Sequence, residues 1–346
     1  MVFISLTTRI LLNIEALNMT ESVGNFIRHR RAPVIISSNN GYLLKYVPVI
    51  SGESLAHAYQ EVLAKIASEP SVDIKVCKLC KEGVLVKHTD KSIFNRTGIQ
   101  PSNITDPIVV EKAIVENCVV EDIGGFLYTD AALKRTSRVY FGYMIPAMDA
   151  IRLSATEAQF HVRYDQPVGG GMTKQMIYNV ETGSALYVLN SLIDLCGIGV
   201  SSINGSGIIS IDERMKRAEI AIKALELMIT QQLFGAKRTR FYPDWRIMSL
   251  LILVSSPIQL NPIPAHDINF VKQTVESVSE AVNSLNSGEV NLNEKASIFY
   301  YAEEKIEEPD KVSNIEIVRV NNPVEAFVKA RETALELFKN KCGGKQ

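Results

Sequence analysis

Residues 157–165, Glu157-Ala158-Gln159-Phe160-His161-Val162-Arg163-Tyr164-Asp165, alternate strictly between polar and apolar side chains. A period of two marks a β-strand with one buried face. Ala158, Phe160, Val162 and Tyr164 are therefore expected to face a core, and Glu157, Gln159, His161, Arg163 and Asp165 to face away from it. The second face carries an amide, an imidazole, a guanidinium and two carboxylates. It runs into Gln166-Pro167-Val168-Gly169-Gly170-Gly171-Met172-Thr173-Lys174, a glycine-rich loop with a bare backbone and one cation. Such a face beside such a loop suits an extended polar ligand. It equally describes the solvated side of an antiparallel sheet.

A second alternating run opens the chain. Ile4, Leu6, Ile10, Leu12 and Ile14 fall on one side, and Ser5, Thr7, Arg9 and Asn13 on the other. Strands at 34–36 and 42–47 flank Asn39-Asn40-Gly41, a hairpin turn. Ser51 then caps a helix whose apolar positions are Leu55, Tyr59, Val62, Leu63 and Ile66. Its first amides, at Ser51 and Gly52, suit an anion or simply a well-capped helix. Residues 70–118 are weakly patterned and are expected to form an inserted, helical subdomain. Strand character returns at 119–128, 139–145 and 176–194. A helix over 212–233 buries Met215, Ala218, Ala221, Leu225 and Met228 and stops at Gly235, and a buried strand covers 246–255. The predicted fold is α+β, with a ferredoxin-like or RNA-recognition-motif core built from 1–69 and 119–267. Residues 268–346 form a C-terminal α/β extension packed on it. The sheet of that fold class can offer one open face to a single nucleic-acid strand.

The net charge of −1 excludes a global positive field, so any nucleic-acid contact must be local. Basic residues are indeed grouped, in Arg28-His29-Arg30-Arg31, Lys134-Arg135-Thr136-Ser137-Arg138 and Lys237-Arg238-Thr239-Arg240. Guanidinium matches phosphate geometry bidentately, although a single such cluster is usually a solvated face. No aromatic-rich strand of the base-stacking kind is present, which fits binding of a backbone without reading of bases. Of the five cysteines, only Cys77-Lys-Leu-Cys80 has ligand spacing. Its second pair is missing, although His88 and Cys118 lie downstream, and no metal or cofactor is assigned. Walker, dinucleotide, HExxH and nucleophile-elbow motifs are absent. The longest apolar run, 247–254, is too short to span a bilayer, and no signal-peptide pattern is seen, so a cytoplasmic protein is expected.

Several segments together resemble a known family. They are Asn13-Ile-Glu-Ala-Leu-Asn18, Glu21-Ser-Val-Gly-Asn25, His29-Arg-Arg-Ala-Pro33, Tyr46-Val-Pro-Val-Ile-Ser-Gly-Glu53, Ala56-His57-Ala58-Tyr59, Asp122-Ile-Gly-Gly-Phe126, Arg135-Thr-Ser-Arg138, Glu157-Ala-Gln-Phe-His-Val-Arg163 and Pro264-Ala-His-Asp267. In order, they resemble the repeating backbone subunit of archaeal type I-A CRISPR surveillance complexes (Cascade), the DevR-like autoregulator family. The resemblance covers most of 1–67 and 121–267. It implies a crescent-shaped subunit without catalytic residues that polymerises head to tail along the CRISPR guide RNA. Such a subunit grips the RNA backbone and displays bases to target DNA, beside other Cascade subunits. By position, its thumb is 165–175, carrying Lys174 and with Met172 or Val168 as the wedge that unstacks a base.

Arg135, Arg138, Lys237, Arg238 and Arg240 are expected on phosphates, and His29, Arg30 and Arg31 in the same groove. Gln159, His161 and Arg163 would line the sheet face. Ser51 and Gly52 would offer helix-end amides, and His57 sits one turn into that helix. Asn18, Glu21 and Asn25 would shape the groove, or form turns. The competing reading is a CRISPR endoribonuclease of the same fold, with His57 or His161 in acid–base chemistry.

Overall fold

The first strand, β1 (Phe3–Glu15), sets the layering, because both of its faces are covered. The computed structural model describes residues 1–38, 41–164 and 175–342. After β1 come β2 (Met19–Val23), β3 (Phe26–His29), β4 (Arg31–Ser38), β5 (Gly41–Pro48) and helix α1 (Gly52–Ala67). Short helices α2 (Lys78–Lys81), α3 (Ser92–Thr97), α4 (Pro107–Asn117) and α5 (Val119–Gly124) follow, and then short strands β6 (Phe126–Tyr128), β7 (Leu133–Arg135), β8 (Val139–Phe141) and β9 (Ile145–Pro146). The long strands β10 (Ala155–Tyr164) and β11 (Gln175–Asp194) precede α6 (Ile211–Thr230) and β12 (Asp244–Ser256). The chain ends with α7 (Phe270–Leu285), β13 (Lys295–Ala302), β14 (Glu316–Arg319) and α8 (Pro323–Cys342).

The main sheet is large and mixed. Its path is β14–β13–β12–β1–β11–β3–β2, and β8, β9 and β10 also pair with β11. β11 changes partners along its length: β1 over 183–194, β10 over 175–184 and β3 at Asn179 and Val180. Helices α1 and α6 cover one face. Ser51 and Ser210 cap them by accepting from Ser54 N and Glu213 N, each at 3.3 Å. Their apolar stripes meet Ile4, Leu6, Ile10 and Leu12 of β1 and Leu250, Ile252 and Val254 of β12, and Tyr59 Oη donates to the Ala221 carbonyl at 3.0 Å. No described helix is long and apolar enough to cross a membrane.

The alternation of β1 is as read from the sequence, but its polar side does not meet solvent. Ser5, Thr7 and Arg9 are buried beneath the segment that leaves β12, and α7 continues that layer over Leu251 and Leu253. Ser5 Oγ donates to the Leu260 carbonyl at 2.8 Å, and Ala265 N donates to Thr7 Oγ1 at 2.9 Å. Arg9 meets Asp149 at 3.1 Å, Glu304 at 2.9 Å and the Ala265 carbonyl at 3.0 Å. Polar groups on a strand can face inward when every donor and acceptor is matched, and here they are. The open central sheet face expected from the sequence is therefore closed.

A buried ionic network ties α4, α5, β7 and α6 together. Asp122 accepts from Arg217 Nη1 at 2.8 Å and from Arg135, and Glu111 accepts from Arg135 Nη1 at 2.9 Å. Glu111 also accepts from Ser201 Oγ at 2.7 Å and Ser202 N at 2.8 Å. Beside this network, Cys196 and Cys342 are joined in a disulfide that fastens α8 to the loop after β11. Replacing Asp122 with alanine strands two buried guanidiniums, which costs about 3–5 kcal/mol. Urea unfolding of Asp122→Ala should show a lower midpoint with an unchanged slope; an unaltered midpoint would mean the network carries no stability.

Candidate nucleic-acid interface

Leu17 and Asn18 form the turn that leaves β1, and three other segments are hydrogen-bonded to it. Asn18 Oδ1 accepts from Ser51 N at 2.8 Å, and the Asn18 carbonyl accepts from Arg30 N at 2.8 Å. The Leu17 carbonyl accepts from Ala236 N at 2.8 Å. Gly235 approaches so closely, at φ +99°, that a Cβ there would collide with the Leu17 side chain. One turn thus gathers the start of α1, the 28–31 cluster and the 237–240 cluster.

A buried carboxylate supports this turn. Glu15 accepts from Tyr187 Oη at 2.7 Å and from Leu17 N at 2.8 Å, and meets His29 Nε2 at 2.5 Å. Gly183 leaves space for it, since a Cβ there would lie 2.6 Å from Glu15 Oε1. The other ring nitrogen of His29 lies 2.8 Å from the Arg30 carbonyl. Both ring partners can accept, so the protonated ring satisfies both contacts at once. Burial would lower its pKa, but the hydrogen bond and charge of Glu15, the Arg30 carbonyl and the Glu181 charge outweigh it, and the pKa is raised. His29 is 2% exposed. It was expected in the groove as a ligand contact; both of its ring nitrogens are instead taken by Glu15 and the Arg30 carbonyl, so it locks β3 to β1.

Beyond the turn, the third basic cluster meets the β10–β11 hairpin. Arg240 Nη1 donates to Tyr178 Oη at 3.4 Å. The His161 ring stacks on Tyr178, with centroids 5.1 Å apart and planes 22° apart, and meets Phe241 edge-on at 5.5 Å. Gln159, two residues from His161, shares its side of the strand and is likewise half-buried. Arg238 lies over the Tyr242 ring at 5.6 Å. Lys237 holds φ +51°, a left-handed conformation that costs a non-glycine residue roughly 1–2 kcal/mol. The buried Nε atoms of Arg30 and Arg238, and His161 Nε2, make no hydrogen bond among the described residues. Arg31 is exposed and reaches the Tyr46 carbonyl at 3.3 Å. An open cleft of about 600 Å³ lies alongside, lined by Thr20, Phe26, Arg28, His29, Arg31 and Glu181.

Other expected residues lie elsewhere. Arg135, expected on a phosphate, is 2% exposed. Its guanidinium is spent on Asp122, Glu111 and the Asp122 and Val200 carbonyls, which leaves no donor for a ligand. Arg138 pairs with Asp194 at 3.3 Å, at the opposite end of β11 from Tyr178. At ~3.3 Å per residue that is roughly 50 Å of strand, so the 134–138 cluster does not join the other two. His57 is exposed on α1 and lies 3.4 Å from Glu61. Ser51 is buried in its capping role, and the Phe141 carbonyl crowds Gly52, where a Cβ would lie 2.6 Å from it. Asn25 is exposed, its carbonyl accepting from Asn179 N at 2.7 Å. Arg163 lies in β10, but its side chain is outside the described residues, as is that of Glu21; Met172, Lys174 and the thumb as far as residue 174 lie outside them altogether.

Over residues 159–162 the expected faces of β10 are reversed, while Glu157 is exposed and Ala158 half-buried as expected. Phe160 is 75% and Val162 47% exposed, while Gln159 and His161 are the half-buried residues. The cause is position: β11 pairs with β10 where it has already run past the end of β1, at the Glu15–Gly183 pair. Sequence reasoning missed Glu15, Tyr178, Phe241 and Tyr242. Their signal depends on the register of β10 against β11, which periodicity alone does not supply.

Comparison with known proteins is consistent across methods. Residues 6–277 match the family described as CRISPR-associated negative auto-regulator DevR/Csa2. The chain is 40% identical to the CRISPR-associated aCascade subunit Cas7/Csa2 2 of Saccharolobus solfataricus, over 82% of this chain and 88% of that one. It is 34% identical to CRISPR-associated protein Cas7/Csa2 1 of the same organism, over 94% and 96%. Among solved structures, a chain of a CRISPR RNA-guided surveillance complex, pre-nicking, has a TM-score of 0.50 at 11% identity, covering 96% of this chain and 99% of that one, which is a likeness of fold.

The raised pKa of His29 gives the turn a pH dependence. A raised folded pKa contributes stability that is complete below the unfolded value near 6.5 and is lost as pH rises through the folded value. Wild-type stability should therefore fall as pH rises above about 6.5, and His29→Gln should flatten that slope in denaturation series. Identical slopes would remove His29 from the account.

Proposed function

The chain belongs to the CRISPR-associated DevR/Csa2 family, and on that premise we propose that it is a repeating guide-RNA-binding subunit of a CRISPR surveillance complex, holding the RNA backbone without reading its sequence. The observation that carries this reading is the convergence of the 28–31 and 237–240 clusters on the Leu17–Asn18 turn. Unspent guanidinium donors favour phosphate, and they fix register without touching a base edge. Arg30, Lys237, Arg238 and Arg240 are the phosphate residues of this reading, with Arg31 at the rim. The stacked His161–Tyr178 pair offers a flat wall to a ribose or base. Asn18 and His29 act indirectly, by holding the three segments in place. Arg138 would meet a different stretch of the same strand.

The proposed core is ferredoxin-like. β12–β1–β11 continues into β8 and β9, and α1 and α6 lie on one face, which is the layer order of that fold. Two separate exposed apolar patches support assembly with copies of itself. One is the β4–β5 hairpin, with Ile35, Tyr42, Leu43, Leu44 and Tyr46. The other is Phe160, Val162 and Ile177 on the β10–β11 extension. Two unlike patches on one chain suit a heterologous, non-closing contact, as a filament along a guide requires. In this reading, target DNA is met only through the guide bases, other Cascade subunits complete the complex, and the chain itself has no catalytic role.

Arg30→Ala and Arg238→Ala should each weaken binding by a similar factor for guide RNAs of unrelated sequence. Each should also reduce the slope of log affinity against log salt by about 0.7–0.9. Fluorescence anisotropy over a salt series measures both. Loss confined to one sequence, or no loss at all, would overturn the reading.

A further inference from the structure

Cys77, Cys80, Cys118 and Glu121 are all buried, and their ligand atoms all lie within 4.8 Å of one another. They are delivered by separate elements. Cys77 precedes the first turn of α2, Cys80 lies within α2, Cys118 is the joint between α4 and α5, and Glu121 is in α5. Cys118 Sγ lies 3.7 Å from Cys80 Sγ, and Cys77 Sγ lies 3.9 Å from Glu121 Oε1. A tetrahedral ion bound to sulfur at ~2.3 Å demands sulfur–sulfur edges of about 3.8 Å. The Cys80–Cys118 pair already stands at that spacing, and the remaining ligand atoms are gathered within 4.8 Å of one another.

We propose that these four residues form a structural zinc site, with three thiolates and the Glu121 carboxylate as ligands. The donor set selects the metal class: soft thiolates in a tetrahedral, enclosed arrangement favour zinc over magnesium or calcium. All four protein ligands are buried, which leaves no open coordination position of the catalytic kind. The surroundings supply the outer contacts that such sites use. His88 Nδ1 lies 2.8 and 2.9 Å from the two Glu121 oxygens, His88 N donates to Glu121 Oε2 at 2.9 Å, and His88 Nε2 meets Thr97 Oγ1 at 2.8 Å. These bonds hold the carboxylate in one orientation. Three thiolates and a carboxylate carry −4 against +2, and the half-buried Lys87 ammonium, beside Glu121 and Cys80, offsets part of the excess.

The site closes the 70–124 segment on itself. That segment is made of short helices, and α2 has only four residues, too few to hold shape alone. An ion binding α2 to the α4–α5 joint would fix that short helix in place beside the apolar contacts of the segment. When the site loads, the thiols lose their protons to solvent and each sulfur donates a lone pair to the cation, with no change of oxidation state. The proximity of Cys80 and Cys118 also allows a disulfide under an oxidant, and the test separates the two.

The full-length chain, purified without a histidine tag in reducing buffer, should contain about one zinc per chain by elemental mass spectrometry. Exchange with Co²⁺ alone should give the visible bands and thiolate charge-transfer absorption of a tetrahedral site. Cys118→Ser should lose both signals. If that variant fails to fold, a strong chelator added to the wild type should release the zinc and lower Tm, and Zn²⁺ alone should restore it. Zinc well below one per chain together with no cobalt spectrum, whether the thiols are free or Cys80 and Cys118 are bonded by mass, would overturn the site.

Discussion

The carboxylate of Asp122 is shared by two guanidiniums, those of Arg135 and Arg217, in a part of the interior that water does not reach. Each charge there has lost its hydration, and only complete pairing repays that cost. Pairing is complete: Glu213 takes the other edge of Arg217, and Glu111 the other edge of Arg135. Hydrophobic contacts tolerate small slippage, but a multidentate ion network does not, because a shift of one ångström leaves a charge unmatched. The network therefore fixes where α4, α5 and β7 sit relative to α6, and α6 in turn packs on α1 and β1. A near-neutral chain can carry arginine-rich segments without self-repulsion only if some arginines are neutralised internally in this way.

That division of arginines defines the surface that remains. Arg9, Arg135 and Arg217 are buried and matched by carboxylates, so they build the fold. Arg30, Arg138 and Arg238 are half-buried with an unmatched Nε, and Arg138 also pairs with Asp194. Half-burial lowers the local dielectric and strengthens attraction for an anion, and an unmatched donor makes that attraction directional. The Glu15–His29 pair beside Arg30 supplies a rigid floor of near-zero net charge, so it neither repels nor competes for a polyanion. The same physics explains why the three basic clusters of the sequence, alike in composition, end in different roles.

Much of the fold was legible because it rests on local periodicity. The β1 alternation, the α6 stripe ending before Gly235, and the strands and helices after residue 267 all follow from spacing of apolar residues within one element. The interface was legible only in part. Arg240 reaches Tyr178, on which His161 stacks, but Arg135 is elsewhere, because whether a guanidinium is spent depends on carboxylates far away in sequence, such as Glu111. The reversal of β10 has the same origin. Alternation says that Phe160 and His161 face opposite ways, and only the neighbouring layer decides which way is in. The polar side of β1 looked open for the reason that its cover, around Leu260–Ala265, lies some 250 residues downstream, as the 255-residue span of the Ser5–Leu260 bond records.

The cysteines carry the same lesson a step further. Cys77 and Cys80 read as an orphan pair because the third thiol lies 38 residues beyond Cys80, outside any spacing rule for a single metal-binding loop. What brings Cys118 back is α5, and α5 is held by Asp122, the residue immediately after Glu121. One six-residue helix thus presents a carboxylate to the sulfur cluster and, at the next position, a carboxylate to the arginine network. Adjacent helical residues point about 100° apart, so one short helix can serve two buried polar sites at once without a bend. The 70–124 segment and the core are therefore pinned through the same turn of backbone, and a disturbance of either site must pass through α5 to reach the other.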